Sequence, residues 1–150
     1  MPVNLAEQIP PESIAVKTSA QSWEEVVSIA GELLVAGGAT TDAYTQEMIE
    51  AVIEHGPYIV IAPGFALAHS RPSPAVLRTG LSLATLVEGV DFGTKNDPVR
   101  LVVGLAALDH DAHLEVMKAL AKLLSKPAKI EELCEANTVE EVQAVLASAS

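Results

Sequence analysis

The sequence predicts an α/β fold: a single domain over residues 1–150 in which a central mixed β-sheet is flanked by α-helices. Two observations support this prediction. Apolar residues recur at helical spacing near both ends of the chain, whereas the middle, residues 58–108, contains short β-branched or continuous apolar runs typical of strands. No internal repeat, low-complexity segment or linker divides the chain, so one domain is expected.

The composition excludes several classes of protein. Apolar residues make up 49% of the 150 residues and charged residues 19%, which is the balance of a chain with a full hydrophobic core. The formal net charge of −11 repels nucleic acids, and an aromatic content of 3% leaves few side chains on which bases could stack. A basic protein partner is favoured instead.

The sequence also predicts a cytoplasmic protein. The one cysteine, Cys134, cannot form an internal disulfide, and the first residues show neither the basic start nor the apolar run of a secretion signal. The longest apolar stretches are much shorter than the ~20 residues that a membrane-spanning helix needs.

Two amphipathic helices are expected first. Residues 22–36 have apolar residues at helical spacing, begin with a capping box of Ser22 and Glu25, and end at Gly37. Residues 41–55 follow with a second apolar face, and Gly56 is placed to cap that helix. The two segments together predict a helical hairpin.

Strand patterns occupy the middle of the chain. Residues 58–62 and 65–69 are short extended runs separated by a Pro63–Gly64 turn signal, whereas residues 80–90 begin with alternation. Residues 99–108 form a near-continuous apolar run, which predicts a strand covered on both faces. Short links favour antiparallel neighbours, and a parallel pair needs a longer crossover, so the sheet should be mixed.

The C-terminal part returns to helical spacing. A helix is expected after Asp109, which with Asp111 is a candidate N-cap. Its predicted apolar stripe consists of Leu114, Met117, Leu120, Ala121 and Leu124. A short helix over residues 128–134 comes next, and the last helix begins with a second capping box, formed by Thr138 and Glu141.

His69 is the residue best placed for chemistry. It ends an apolar run and is followed by Ser70, Arg71 and Pro72, so it should lie where the sheet meets solvent. A neutral imidazole can attack a phosphoryl group, and the nearby Arg71 could neutralise charge on that group. A surface histidine without a catalytic role is the alternative.

His110 and His113 lie three residues apart at a predicted helix start, where they share a face and where the helix dipole favours an anion. A bound phosphate is one interpretation of this pair. The alternatives are a metal site completed by Asp109 or Asp111, and a solvated first turn without a role. No second histidine pair or zinc-protease glutamate supports the metal.

The remaining candidates are assigned structural roles. His55 lies in the last turn of a helix, where a cation interacts favourably with the dipole, and Cys134 has no adjacent base. The glycines form neither a Walker loop nor a dinucleotide fingerprint. No cofactor and no metal are therefore predicted.

The segment GPYIVIAPGFALAHSRP, residues 56–72, resembles the active-site segment of the mannitol/fructose-type enzyme IIA proteins of the bacterial sugar phosphotransferase system. It is most similar to their ascorbate branch, whose pattern is close to GPYIVIAPGIALPHARP. The segments GLSLATLVEGVDFG, NDPVRLVVGLAALD and HLEVMKALAKLL resemble the same family in order and spacing. The resemblance extends over residues 23–146.

The resemblance implies the enzyme IIA fold and a phosphocarrier function, with ascorbate or a related sugar as the transported compound. His69 would accept a phosphoryl group from the phosphohistidine of the carrier HPr and pass it to a cysteine of a IIB component, which serves a membrane IIC component. His113 would help to hold the phosphoryl group, and Arg71 matches a basic residue of the motif. Docking partners are expected on an apolar collar around His69 that includes Phe65 and Leu67.

The chain departs from the family pattern at two places. Ala68 stands where the family usually has proline, so the backbone before His69 is less restricted. Residues 53–56 lack the arginine that mannitol-type members carry there, which favours the ascorbate branch. A regulatory enzyme IIA-like protein and a small metal-dependent hydrolase using His110 and His113 are the alternative functions, and the oligomeric state, a homodimer included, is left open.

Overall fold

The computed structural model describes residues 5–149 and has three layers, with one sheet between two layers of helices. Six helices and five strands occur in this part of the chain. In order they are α1 (Leu5–Gln8), β1 (Ile14–Thr18), α2 (Trp23–Ala36), α3 (Asp42–His55), β2 (Val60–Ala62), β3 (Phe65–His69), β4 (Gly80–Val90), β5 (Val99–Ala106), α4 (His110–Leu124), α5 (Pro127–Glu135) and α6 (Val139–Ala149). A short 3₁₀ turn, Pro11–Ser13, precedes β1.

The sheet is mixed, as the sequence predicts, with the strand order β1-β4-β5-β3-β2. The pairs β1–β4 and β3–β5 are parallel, and the pairs β4–β5 and β2–β3 are antiparallel. The short Pro63–Gly64 link joins the antiparallel pair β2–β3, in agreement with the expectation from its length. Strand β1 is the one strand that the sequence pattern does not predict.

The two faces of the sheet carry separate hydrophobic clusters. Residues of α2 and α3 form the cluster on one face, and residues of α1, α4, α5 and α6 form the cluster on the other. Strand β3 contributes to both, because Ala66 and Ala68 point towards α2 and α3 whereas Phe65 and Leu67 point the opposite way. Phe65 and Leu67 are fully buried, so the prediction that they belong to an exposed collar is wrong.

The predicted helix ends are confirmed. Ser22 Oγ accepts a hydrogen bond from the Glu25 amide at 3.3 Å, although the Glu25 carboxylate bonds the amide of Gln21 rather than that of Ser22. Gly56 ends α3 with φ of 83°, and its amide donates to the Val52 carbonyl. Asp109 caps α4 by accepting from the Ala112 amide at 2.8 Å.

The buried face of α4 differs from the predicted stripe. Val116, Leu120 and Leu123 are the buried residues of this helix, whereas Leu114 is 44% exposed and Ala121 is also exposed. Apolar residues are frequent enough in α4 to form two overlapping stripes, and contacts with α1 and α5 select one of them. Leu114 is therefore available on the surface beside His113.

Gly104 determines how closely α2 approaches the sheet. A Cβ atom at this position would overlap the Ser82 hydroxyl and lie 3.1 Å from the Ala30 carbonyl oxygen. Ser82 Oγ donates a buried hydrogen bond of 2.8 Å to that same carbonyl. The absence of a side chain at Gly104 thus permits the contact between β4, β5 and α2.

We expect Gly104→Ala to lower the free energy of unfolding by about 1–3 kcal/mol, because the new methyl group overpacks a full core and displaces the Ser82 hydroxyl. Urea denaturation followed by circular dichroism measures this change. The double variant Gly104→Ala/Ser82→Ala should recover part of the loss, since the displaced hydroxyl is absent. Unchanged stability of Gly104→Ala would contradict this account of the packing.

Candidate functional site

The candidate site lies at the edge of the sheet where two parallel strands end. His69 is the last residue of β3 and pairs with Leu105 of β5. Strand β5 leads within a few residues into α4, whose first turn carries His110 and His113. The ring centroids of His69 and His113 lie 6.0 Å apart, with 56° between the ring planes. The carboxyl ends of parallel strands are a common place for ligand sites, because loops and helix starts meet there.

Strand alternation explains why His69 faces α4. Phe65 and Leu67 point to the α4 side of the sheet, and His69 follows them at the same spacing of two residues. Unlike those two residues, His69 is only partly buried, because the strand ends at this position. His69 thus lies at the boundary between the hydrophobic core and solvent.

A backbone hydrogen bond fixes the protonation pattern of the His69 ring. Nδ1 lies 2.7 Å from the carbonyl oxygen of Leu67. A carbonyl oxygen can only accept, so Nδ1 carries the proton and donates it. In the neutral ring Nε2 then has a free electron pair, which makes it the nucleophilic nitrogen.

Two tyrosines contact the backbone around His69. The hydroxyl of Tyr58 donates to the His69 carbonyl at 3.2 Å, and its ring lies edge-on to the His69 ring. The hydroxyl of Tyr44 accepts from the Ser70 amide at 2.9 Å and donates to the Leu105 carbonyl at 2.8 Å. Burial raises the pKa of Tyr44 to about 12, so this group stays protonated.

His69 opens into a cleft of about 710 Å³. All four histidines of the chain line it, and Arg71 lies on the same wall as His69. Helix α3 also lines the cleft and contributes an acidic wall of three carboxylates at helical spacing, Glu47, Glu50 and Glu54. The cleft therefore combines a histidine cluster with an acidic wall.

His113 is held in its neutral form by its surroundings. Burial lowers the pKa of its imidazole, and the positive charges that His69 and His110 acquire on protonation lower it further. A neutral His113 has one N–H donor and one acceptor nitrogen, so it can donate a hydrogen bond to an oxygen of a phosphoryl group on His69.

The structure brings together the residues that the sequence singles out. Arg71 and His110 are both exposed residues that line the cleft, beside His69 and His113. His55, to which the sequence assigns no chemistry, lies at the rim, edge-on to Tyr58 with ring centroids 6.1 Å apart.

Sequence reasoning misses the two tyrosines and the acidic wall. Tyr58 belongs to the segment that carries the resemblance, and the three glutamates of α3 recur at helical spacing, so both signals were present. Their position beside His69 depends on how α3 packs and could not be read from either signal alone.

Two other expectations concern ions and membranes. Among residues 5–149, no group of three or more histidine, cysteine or acidic side chains is arranged to hold a metal ion, so the metal interpretation of His110 and His113 gains no support. The Asp109 carboxylate instead accepts a hydrogen bond from the Ala112 amide at the start of α4.

No helix within residues 5–149 is both long and apolar enough to cross a bilayer.

Comparison with known sequences identifies the same family in the family model and in the individual relatives. The profile of the family described as phosphoenolpyruvate-dependent sugar phosphotransferase system, EIIA 2, matches residues 7–149. The mannitol-specific cryptic phosphotransferase enzyme IIA component of Escherichia coli (strain K12) is 33% identical over 144 residues, which cover 96% of this chain and 98% of that protein. The ascorbate-specific EIIA component of Salmonella choleraesuis (strain SC-B67) is 38% identical over 132 residues, covering 87% and 86%.

Solved structures show the same fold. The mannitol-specific cryptic enzyme IIA of Escherichia coli superimposes with a TM-score of 0.87 at 32% identity, covering 97% of this chain and 99% of that one. Mannitol enzyme IIA of Escherichia coli, solved in complex with phosphorylated enzyme IIB, gives 0.80 at 32% identity and covers 91% and 95%. The nitrogen regulatory protein IIA-Ntr of Neisseria meningitidis gives 0.79 at 26% identity and covers 94% and 97%.

We expect the imidazole of His113 to titrate below the ordinary histidine pKa of 6.5. Because folding lowers this pKa, the contribution of His113 to stability is present above about pH 6.5 and is lost as the pH falls through the lowered value. NMR titration of the histidine ring protons measures the pKa of His113 directly.

His69→Gln provides the matched comparison for this titration. Removing the charge of His69 should raise the pKa of His113, yet leave it below 6.5, because burial is the larger cause of the shift. A wild-type His113 that titrates at or above 6.5 would contradict the described environment.

Proposed function

Because the chain belongs to the EIIA 2 family of the phosphoenolpyruvate-dependent sugar phosphotransferase system, we propose that it is a phosphocarrier whose His69 accepts and donates a phosphoryl group. The observation that carries this proposal is the hydrogen bond of 2.7 Å between His69 Nδ1 and the Leu67 carbonyl. It makes Nε2 the nucleophile of a partly exposed histidine beside a second, neutral histidine.

The proposed reaction consists of two phosphoryl transfers. In the first, Nε2 of His69 attacks the phosphorus of phosphohistidine on HPr. The new Nε2–P bond forms as the donor N–P bond breaks, and the donor imidazole keeps the electron pair of that bond and takes up a proton from solvent. In the second, a cysteine thiolate of the IIB component attacks the same phosphorus and the Nε2–P bond breaks. His69 Nδ1 keeps its proton throughout, and no metal or cofactor takes part in the proposed steps.

His113 and Arg71 have supporting roles in this proposal. The His113 ring lies close enough to His69 to donate a hydrogen bond to an equatorial oxygen of the transferred group. Arg71 lines the same cleft and supplies positive charge, but it is exposed, so solvent screens its contribution. His113 should therefore contribute more to the rate than Arg71.

The surface around the cleft fits a protein partner. Ile53, Leu108 and Leu114 are 69%, 53% and 44% exposed, and they belong to or adjoin the segments that carry the cleft histidines. These three residues replace the buried Phe65 and Leu67 as the proposed apolar collar. The acidic wall and the net charge of −11 favour a basic donor, and the solved complex of a relative with phosphorylated enzyme IIB supports a IIB component as acceptor.

Ascorbate or a related sugar acid is the proposed transported compound. The ascorbate-specific relative is 38% identical over 132 residues, against 33% over 144 residues for the mannitol-specific one. Ile53, at the end of α3, also stands in the stretch where mannitol-type proteins carry an arginine. A cytoplasmic location and a downstream membrane IIC component stay predictions of the sequence, and the oligomeric state stays open.

A regulatory role is the second candidate. The similarity to the nitrogen regulatory protein IIA-Ntr, with a TM-score of 0.79, supports it. The same His69 would be phosphorylated, but the phosphorylation state would control a partner instead of supplying a IIB component. Transfer from the phosphorylated protein to a purified ascorbate-type IIB component separates the two functions, because only the transport function requires it.

We expect incubation with phosphoenolpyruvate, enzyme I and HPr to add one phosphoryl group to the wild-type protein and none to His69→Ala or His69→Gln. The physical reason is that the Leu67 carbonyl fixes the proton on Nδ1 of the partly exposed His69, which leaves Nε2 with a free electron pair. Intact-mass measurement at neutral pH detects the addition, and loss of the added mass in acid identifies a phosphohistidine.

His110→Gln and His55→Gln are suitable controls, because both histidines line the cleft. Within residues 5–149, the rings that pack against the His69 ring are those of Tyr58 and His113. They should still accept one phosphoryl group. Phosphorylation of His69→Gln to the wild-type level would refute the assignment of the nucleophile.

We expect His113→Ala to slow phosphorylation of His69 by about 100-fold, because a hydrogen-bond donor to the transferred group is lost. Arg71→Ala should slow it by about fivefold or less, as befits a screened charge. Rapid-quench kinetics with phospho-HPr measures both rates. An equal effect of the two substitutions would contradict the proposed division of roles.

A further inference from the structure

Tyr58 has contacts that the proposed chemistry does not yet use. Its ring lies edge-on to the His69 ring, with centroids 5.3 Å apart and 81° between the planes. Its hydroxyl donates a hydrogen bond of 3.2 Å to the carbonyl of the same histidine. One side chain thus contacts both the imidazole and the backbone of His69.

The hydrogen bond to Leu67 alone does not hold the His69 ring in place. It fixes which nitrogen carries the proton and opposes rotation of the ring, but rotation about the Cβ–Cγ bond breaks only this one hydrogen bond. An aromatic edge on a neighbouring side restricts that rotation, and edge-to-face pairs at this centroid distance are attractive. The Tyr58 ring therefore limits the directions in which Nε2 can point.

The backbone of His69 is held up to the end of β3 by its pairing with β5, and beyond that point by two tyrosine hydroxyls. The φ angle of Ala68, the residue before His69, is not fixed by a ring, whereas a proline at position 68 would fix it. On the other side, the buried Tyr44 hydroxyl holds the Ser70 amide. The Tyr58 hydroxyl donates to the His69 carbonyl, which is the other end of the same peptide group, so this group is held at both ends.

The geometry points to Tyr58 as a positioning residue that holds the His69 imidazole with Nε2 directed into the cleft towards His113. This inference rests on the proposed function of His69 as phosphoryl acceptor. Burial raises the pKa of the Tyr58 hydroxyl above its ordinary value, so the group remains a hydrogen-bond donor at physiological pH. Small displacements of a nucleophile reduce transfer rates strongly, which is why such a restraint affects catalysis.

A docking contact is the competing role, because Tyr58 is 40% exposed. The two roles differ in the kinetic constant that they change. Loss of a docking contact raises KM for phospho-HPr, whereas loss of positioning lowers kcat with little change in KM. Tyr58→Phe keeps the apolar ring and removes only the hydroxyl, so it separates the two cases.

The test compares Tyr58→Phe, Tyr58→Ala and the control Ile61→Ala in phosphorylation by phospho-HPr. Ile61 lies on the neighbouring strand β2 and is 41% exposed, but it does not line the cleft. We expect Tyr58→Phe to lower kcat by about three- to tenfold with KM unchanged, which corresponds to one lost hydrogen bond. Tyr58→Ala should lower kcat further, and Ile61→Ala should match the wild type.

A second measurement reports on the ring without any phosphoryl donor. In the wild type, the NMR chemical shifts of the His69 ring nitrogens should show one tautomer, with the proton on Nδ1. In Tyr58→Ala the unrestrained ring should rotate away from the Leu67 carbonyl part of the time, and a mixture of tautomers should result because Nδ1 then has no fixed acceptor. Tyr58→Phe should keep more of the wild-type signature. Thermal denaturation of each variant verifies that the fold is intact.

These outcomes distinguish the inference from the proposed function. If the wild type accepts no phosphoryl group, the proposed function fails, and the tautomer measurement alone then decides whether Tyr58 positions His69. An unchanged kcat with a raised KM assigns Tyr58 to docking and overturns the inference. Unchanged nitrogen shifts in folded Tyr58→Ala overturn it as well.

Discussion

The parallel pairing of β3 with β5 is the constraint on which the site depends. It places His69 beside Leu105 at the point where both strands end. Because β5 then leads directly into α4, the first turn of that helix, with His113, is brought next to His69. The pairing also gives Tyr44 two backbone groups to join, the Leu105 carbonyl and the Ser70 amide. One strand register therefore determines the positions of His69, of the neighbouring His113 and of the buried Tyr44 hydroxyl that joins the ends of the two strands.

Elements with local signals could be predicted from the sequence, and elements that depend on distant contacts could not. The capping residues Ser22 and Asp109 act within one turn of their own helices, so their patterns are sufficient. Strand β1, Ile14–Thr18, is short and polar at its end, and it becomes a strand because it pairs with β4 far along the chain. Helical spacing predicts Leu114 in the core, but the residue is exposed. The spacing cannot show which of two overlapping apolar stripes packs against the rest of the protein.

The site was predictable to a similar degree. His69 and His113 follow from two separate segments that resemble the family, and the structure places their rings 6.0 Å apart. Phe65 and Leu67 were misplaced because a strand covered by helices on both faces has no exposed side. The contact between Tyr58 and His69 could not be predicted for a different reason. Its importance arises from the antiparallel turn of β2 back onto β3, which places a residue from the start of the hairpin beside the residue at its end.

The acidic wall of the cleft has a consequence for the phosphorylated form. Three glutamates, Glu47, Glu50 and Glu54, and one arginine, Arg71, line the cleft, so its net charge is negative when the histidines are neutral. The phosphoryl group proposed for His69 would add about two further negative charges at the same place. The two proposed states of the protein would then differ chiefly in local potential, and a partner could distinguish a loaded carrier from an empty one by charge alone, without any change in the shape of the fold.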